Sequence, residues 1–223
     1  MMFRTRLGPS LESEVGNAWP IVKIFRDWES AIRLDWSSVR RIVEVGGHVG
    51  AFALWAAAHA RSAQIVTFEP EPRNFRDLTS NVARNRLRDR VVPINAAVAA
   101  EDGRRTLAVP VQRNKAAFAT GSNGGSVDVE CVRLERYLND EVPGAIDILK
   151  LDCEGTEWEI LPSLSRETYG RVQHVIVGCH AHEERQIDEM REFLATRGFT
   201  SSIFETGSDR DFPLLVTMWG ERR

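Results

Sequence analysis

The stretch Arg41-Ile-Val-Glu-Val-Gly46-Gly-His-Val-Gly50 decides the fold class, because an apolar run ends there in a glycine-rich turn. An alanine-rich helical pattern, Ala51–Arg61, follows it directly. A short strand that turns through glycines into a helix is typical of parallel α/β sheets, in which ligands bind at the carboxyl ends of the strands. The sequence therefore predicts an α/β protein with a small-molecule crevice at this turn.

Short apolar runs and longer helical patterns alternate along the rest of the chain, which is typical of βαβ units and a largely parallel sheet. Further strands are predicted at Gln64–Glu69, Val91–Asn95, Ile146–Asp152, His174–Cys179, Phe199–Glu205 and Leu214–Trp219. Further helices are predicted at Pro72–Arg86, Thr156–Leu164 and Glu183–Arg197. The Asp102-Gly103 dipeptide predicts a hairpin that joins Ala96–Ala100 to Arg105–Val111.

A chain of 223 residues with 43% hydrophobic and 27% charged residues has the size and composition of one globular domain. We predict an N-terminal cover segment over residues 1–40 and a single domain over residues 41–223. The formal net charge of −3 disfavours a broad nucleic-acid surface, and no apolar stretch is long enough to cross a membrane. Three widely spaced cysteines are typical of reduced thiols, so a cytoplasmic location is predicted.

The glycine turn does not fit the dinucleotide-binding pattern, because His48 and Ala51 stand where G-x-G-x-x-G requires glycines. Glu69 ends the next strand, about twenty residues further on, where a carboxylate can accept both hydroxyls of an adenosine ribose. A ribose without a pyrophosphate indicates S-adenosylmethionine, and NAD is the alternative. Considered one at a time, these residues have simpler interpretations, in which the glycines only allow the turn and Glu69 is only a charge at a helix N-terminus.

Four segments of the chain resemble the FkbM-type methyltransferases, which are class I S-adenosylmethionine-dependent enzymes. They are Glu44–Gly50, Thr67–Pro72 with Asn81 and Asn85 following, Asn95–Val98, and Asp147–Glu157. The last contains Lys-x-Asp-x-Glu-Gly-x-Glu and is the most specific, and the resemblance extends from Val39 to Phe199. It implies a Rossmann-like class I methyltransferase fold, with a mostly parallel seven-stranded sheet, an antiparallel last strand and helices on both faces.

The resemblance also implies which residues bind S-adenosylmethionine. They are Glu44, Gly46, Gly47, His48, Gly50, Glu69, Pro70, Asn74, Asn95, Ala96, Asp152 and Glu154. Glu44, where the family more often has Asp, is predicted to reach the methionine end of the cofactor. Gly178-Cys179-His180 keeps only the histidine of the Glu-x-His that commonly follows the fifth strand of the family.

Methyl transfer to a hydroxyl needs mainly positioning, together with a group that takes the hydroxyl proton. Asp152 is predicted to orient or deprotonate the acceptor, with His180 as the second candidate. In one alternative, Asp152 and Glu154 only pair with Lys150 and cap the next helix. In another, His180 and His182 bind a divalent ion together with Asp152. We assign no metal to the predicted site.

Together, these expectations predict a methyltransferase that acts on a hydroxyl of a small molecule, either a sugar or a secondary metabolite. The acceptor class follows from the resemblance alone. A non-catalytic S-adenosylmethionine-binding module, an NAD-dependent oxidoreductase and an RNA methyltransferase are the alternatives. No nucleic-acid or membrane partner is expected, and the sequence does not indicate an oligomeric state.

Overall fold

The structure is a computed structural model that describes residues 2–4, 8–12, 24–25, 32, 34–109, 125–207 and 214–222. Its strands are β1 (Met2–Arg4), β2 (Ser10–Glu12), β3 (Arg41–Val45), β4 (Gln64–Phe68), β5 (Val91–Ile94), β6 (Ala97–Ala99), β7 (Gly103–Val109), β8 (Gly125–Arg133), β9 (Ile146–Leu151), β10 (Val172–Ala181), β11 (Phe199–Gly207) and β12 (Leu214–Arg222). Its longer helices are α1 (Ala51–His59), α2 (Pro72–Arg84), α3 (Leu134–Glu141), α4 (Glu157–Ser163), α5 (Arg166–Arg171) and α6 (Glu184–Thr196). Within these ranges, no helix combines the length and the hydropathy that a membrane crossing requires.

Seven strands form the central sheet in the order β11-β12-β10-β9-β3-β4-β5. The last strand, β12, is antiparallel to both of its neighbours, and the other adjacent pairs are parallel. This arrangement confirms the α/β class and the antiparallel last strand that the sequence predicted. It differs from the dinucleotide-binding order 3-2-1-4-5-6, which has no antiparallel strand inserted near its edge.

Helices cover both faces of this sheet. Alternate residues of each strand point to opposite faces and therefore contact different helices. Ile42 and Ile148 pack in one core with the buried side of α1 and α2. Val43 and Leu149, the next residues along the same two strands, pack in the other core with α3 to α6. The sheet is therefore buried on both faces, and its strand ends are where a ligand can approach.

A small second sheet has the strand order β6-β8-β7, which shows that the predicted hairpin around Asp102 is wrong. β6 pairs parallel and β7 pairs antiparallel with β8, so the two segments do not pair with each other. Asp102 instead accepts a hydrogen bond from the backbone N–H of Arg133 at 2.8 Å and binds the guanidinium of Arg136. The turn residues were recognised correctly, but the partner strand comes from later in the chain.

Asn81 of α2 and Asn85, the C-cap of this helix, hold β2 of the N-terminal segment against the domain. The side-chain amide of Asn81 accepts from Glu12 N at 2.7 Å and donates to Glu12 O at 3.0 Å. Asn85, one helical turn further, makes the same pair of bonds with the backbone of Ser10. Residues four apart on a helix thus match residues two apart on a strand. The predicted boundary at residue 40 stays a prediction, and Leu11 and Ile32 are buried in the α1 core.

The glycine turn fits closely between β4 and β9. The backbone N–H groups of Gly46 and Gly47 both donate to the carbonyl oxygen of Phe68, at 3.0 and 2.8 Å. Gly46 has a φ of +83°, and a Cβ at this position would overlap the carbonyl oxygen of Asp152. A residue with a side chain does not fit here, because both the backbone conformation and the space are restricted.

Gly46→Ala should therefore lower the free energy of unfolding by about 3 kcal/mol or more, measured by urea titration. Gly170→Ala is the matched control, since a Cβ at Gly170 in α5 meets no atom within 4 Å. Its stability should stay equal or rise slightly, as expected for alanine in a helix. If Gly46→Ala were as stable as Gly170→Ala, the close contact of the turn with β9 would be wrong.

Candidate active site

Three polar side chains form one buried row beneath the carboxyl edge of the sheet. Glu44 lies in register with Thr67 of β4 and with Lys150 of β9, so the three side chains point to the same face. Thr67 Oγ1 donates to Glu44 Oε2 at 2.8 Å, and Lys150 Nζ lies 3.3 Å from Glu44 Oε1. Glu44 is 1% exposed and Lys150 is 2% exposed. The row is thus a buried ion pair with one added hydroxyl donor.

Lys150 connects this row to the glycine turn. Its ammonium lies 3.4 Å from the carbonyl oxygen of Gly46 and 5.4 Å from the ring centroid of Phe52. Asp152 is further away, with Oδ2 at 3.9 Å, so the main partner of Lys150 is Glu44 and not the carboxylate of the sequence alternative. Burial raises the pKa of Glu44, and the Lys150 charge opposes this rise. Contact of Glu44 with a cofactor stays a prediction.

The carboxylate of Glu69 lies at the end of β4 against the glycine turn. Glu69 Oε2 accepts from His48 N at 2.8 Å, and Oε1 accepts from Glu71 N at 2.9 Å. The amide nitrogen of Asn74 lies 3.5 Å from Oε1. The residue is 5% exposed, and burial raises its pKa to about 7. Because each carboxylate oxygen can accept two hydrogen bonds, Glu69 keeps acceptor capacity for a ligand.

The other predicted cofactor-binding residues lie around the same edge. Asn95 is exposed at the end of β5, and its amide donates to the carbonyl oxygens of Glu69 and Pro70 at 2.9 and 3.1 Å. Ala96 is buried beside it. Gly50 is the N-cap of α1 and provides no side chain to cap the first turn. The structure therefore brings the turn, Glu69 and Asn95 to three adjacent strand ends.

Four ionisable side chains meet beyond the end of β9, beside the last residues of β10. The Asp152 side chain is 46% exposed, whereas those of Glu154, His180 and Glu157 are 23%, 6% and 0% exposed. His180 Nε2 lies 3.8 Å from Asp152 Oδ1 and 3.6 Å from Glu154 Oε2. Asp152 is thus the carboxylate of this group that solvent and a substrate can reach most easily.

The backbone between β9 and α4 directs Glu154 towards His180. Glu154 has a φ of +53°, and Gly155 follows with a φ of +98°. A left-handed conformation at a residue with a long side chain costs about 1–3 kcal/mol, and such residues cluster at active sites and ligand-binding loops. This strain agrees with a role for the loop in a binding or reaction site.

Sequence reasoning did not assign roles to Thr67 and Glu157. Glu157 had a detectable signal, because it shares the buried side of α4 with Ile160 and Leu161. A carboxylate on an apolar helix face requires a buried partner. Thr67 had a weaker signal, since it is the penultimate residue of its strand, as Glu44 and Lys150 are of theirs.

The metal-site alternative lacks support. In the described parts of the chain, no three His, Cys, Asp or Glu side chains are grouped so that they could hold a metal ion. His182 lies exposed beyond the end of β10, where its backbone N–H donates to Gln186 Oε1 at 2.7 Å. His180 is buried among carboxylates instead.

The fold and the site define the class of this protein. The sheet has the strand order given above, and a glycine turn follows its first long strand. Independently, residues 44–201 of the chain match the Methyltransferase FkbM domain. The fold is therefore that of a class I methyltransferase. The chain belongs to the FkbM methyltransferase family, as the resemblance of its sequence predicted.

Two proteins that are both named as methyltransferases are similar to this chain in sequence. Methyltransferase sdnD of Sordaria araneosa is 29% identical over 167 residues, which cover 61% of this chain and 64% of the relative. The chain thus spans less than two thirds of that relative's length. The 31-O-demethyl-FK506 methyltransferase FkbM of Streptomyces tacrolimicus is 25% identical, over 71% of this chain and 72% of the relative.

Solved structures resemble this chain in fold. TrmK of M. capricolum, in complex with S-adenosyl-homocysteine, has a TM-score of 0.56 and 9% identity, over 89% of this chain and 68% of that chain. Aeropyrum pernix fibrillarin, with natively bound S-adenosyl-L-methionine, has a TM-score of 0.52 and 16% identity, over 99% and 81%. These similarities confirm the class I Rossmann-like methyltransferase fold.

Lys150→Met should lower the free energy of unfolding by about 3–5 kcal/mol, because it leaves the buried carboxylate of Glu44 without its counter-charge. Glu44→Gln combined with Lys150→Met should recover a large part of this loss, since neither charge is then buried. Urea unfolding at pH 7 measures both effects.

Arg185→Met, which removes an exposed ion pair with Glu189, serves as the control and should leave stability nearly unchanged. Equal unfolding midpoints for Lys150→Met and Arg185→Met would contradict the structural role of the buried pair.

Proposed function

We propose that this protein is an S-adenosylmethionine-dependent O-methyltransferase that acts on a hydroxyl group of a small molecule. The proposal rests on one observation, which is that two carboxylates flank the same glycine turn. Glu69 is buried and accepts hydrogen bonds from backbone N–H groups, whereas Asp152 is exposed. The first is suited to a ribose and the second to a reacting hydroxyl.

The residues around the turn fit an adenosyl cofactor. Glu69 would accept hydrogen bonds from the ribose hydroxyls, because two backbone N–H groups already hold its carboxylate in place. The N–H groups of the first turn of α1, which Gly50 cannot cap, suit the carboxylate of the methionine end. S-adenosylmethionine bound here would supply the methyl group for the acceptor oxygen, and S-adenosylhomocysteine would be the second product.

The chain itself has to orient the acceptor hydroxyl and take its proton. Asp152 is suited to both tasks, because its side chain is 46% exposed and lies next to the glycine turn. His180 is less suited, since the nearby carboxylates outweigh its burial and raise its pKa to about 9, so that it already holds a proton at pH 7. We therefore assign the proton transfer to Asp152 and not to His180.

The acceptor class is supported by chemistry and by one relative. The relative from Streptomyces tacrolimicus is named for the acceptor 31-O-demethyl-FK506, which is a small molecule that lacks an O-methyl group. The formal net charge of −3 also suits a small molecule better than a nucleic acid.

S-adenosylhomocysteine should bind more tightly as the pH rises from 6 to 8. Glu69 loses its proton near pH 7, and only the ionised carboxylate can accept from both ribose hydroxyls. If the ligand binds only this form, the affinity rises about tenfold over the range. Calorimetry in Glu69→Gln should show affinity weaker by about 1–3 kcal/mol at pH 8 and little of this pH dependence.

Glu130→Gln, an exposed change in β8, is the matched control and should behave as the unmodified protein. A Glu69→Gln variant that retains both the affinity and its pH dependence would remove the ribose assignment.

Methyl transfer itself is tested with S-adenosylmethionine labelled in its methyl group and a panel of hydroxyl-bearing sugars and secondary metabolites. Label should pass to an acceptor oxygen, and Asp152→Asn should lower kcat by about 100-fold or more. Asp188→Asn, on the exposed side of α6, is the control. Cofactor binding without transfer to any acceptor would favour a non-catalytic module, and an undiminished kcat in Asp152→Asn would exclude the proton-transfer role.

A further inference from the structure

Glu157 is a fully buried carboxylate that the proposed reaction does not use. Its Oε1 accepts from the backbone N–H of His180 at 2.7 Å and lies 2.9 Å from His180 Nδ1. Its Oε2 accepts from Gly155 N at 3.0 Å and lies 3.6 Å from Cys153 Sγ. An ionised carboxylate only accepts hydrogen bonds, so we assign the proton of this contact to His180 Nδ1.

The opposite side of the same imidazole faces two more carboxylates. Nε2 lies at ion-pair distance from Asp152 and Glu154, at 3.8 and 3.6 Å. Protonation of both ring nitrogens satisfies all three carboxylates, because Nδ1 donates to one and Nε2 faces the other two. Burial lowers the pKa of His180, but the hydrogen bond to Glu157 and the charges of Glu157, Asp152 and Glu154 together raise it to about 9.

Gly178 supplies the space for this assembly. A Cβ at Gly178 would lie 2.7 Å from Asp152 Oδ1, so the Asp152 side chain packs directly against the backbone of β10. Gly178 and His180 are two residues apart and therefore share one face of the strand. The Asp152 carboxylate is thus in contact with β10 at two successive positions of the same face.

We propose that Glu157 is a positioning residue that acts through His180: it fixes the imidazole as a cation between Glu157 and the pair Asp152 and Glu154, and Gly178 leaves the room that Asp152 needs. The effect on catalysis rests on the proposed function of Asp152, whereas the charge assembly does not depend on it. The imidazolium cation attracts the carboxylates of Asp152 and Glu154 and so restricts the orientation of Asp152. The hydrogen bond to Glu157 prevents the imidazole from rotating away from them.

Nuclear magnetic resonance of protein labelled in its five histidines tests the assembly without any acceptor. His180→Gln identifies the His180 signal. In the unmodified protein this signal should titrate near pH 9, and Glu157→Gln should lower the midpoint by at least 1.5 pH units. Asp152→Asn and Gly178→Ala should lower it by smaller amounts, because each removes or displaces one facing carboxylate.

Glu159→Gln is the matched control, since Glu159 lies on the same helix but binds Arg105 and Ala100 instead of His180. It should leave the His180 midpoint unchanged. A His180 midpoint at or below 6.5 in the unmodified protein would overturn the proposal. So would an unchanged midpoint in a folded Glu157→Gln variant. If that variant does not fold, unchanged His180 midpoints in both Gly178→Ala and Asp152→Asn would likewise overturn the proposal.

The catalytic consequence is measured separately, with an acceptor that the methyl-transfer assay identifies. Glu157→Gln should lower kcat at least tenfold and change the S-adenosylhomocysteine affinity by less than threefold. A titration near pH 9 in a protein that binds no S-adenosylhomocysteine would support the charge assembly and contradict the proposed function. Normal binding and turnover in a Glu157→Gln variant with a lowered midpoint would overturn the positioning role.

Discussion

The ion pair between Glu44 and Lys150 joins β3 to β9 one residue before both strands leave the sheet. Each charge is nearly fully buried, so each requires the other. A shift of one residue in either strand would turn one of these side chains to the opposite face and leave two unpaired charges. The pair therefore fixes the register that brings the glycine turn beside Asp152, and Thr67 extends the same constraint to β4.

Four carboxylates near this edge have distinct environments and, in our account, distinct tasks. Glu44 balances a buried ammonium, and Glu157 binds a buried imidazole. Glu69 is held by two backbone N–H groups, which leaves its remaining lone pairs for a ligand. Asp152 is the most exposed of the four and can meet a substrate. Glu44 and Glu157 position the strands and loops from which Glu69 and Asp152 act.

Local sequence patterns predicted the strands of the central sheet, the helices α1, α2, α4 and α6, and the placement of Glu69 and Asp152, because apolar periodicity and strand ends are local properties. The two short helices α3 and α5 were not predicted. The prediction of a hairpin around Asp102 was wrong, because β6 and β7 both pair with a segment further along the chain, Gly125–Arg133. The contact of His180 with Glu157 joins residues 23 positions apart through side-chain conformations that no spacing rule gives. Likewise, Asn81 was noted as part of a resemblance, but its bonds to β2 depend on how the N-terminal segment folds back.

The central claim is that this edge of the sheet holds an adenosyl cofactor. A crystal structure of the protein grown with saturating S-adenosylhomocysteine tests it most directly. The account predicts ribose hydroxyls within hydrogen-bond distance of Glu69, the amino-acid end over Gly46–Gly50, and the sulfur on the side of Asp152. Ligand bound elsewhere, or a glycine turn without ligand under these conditions, would contradict it.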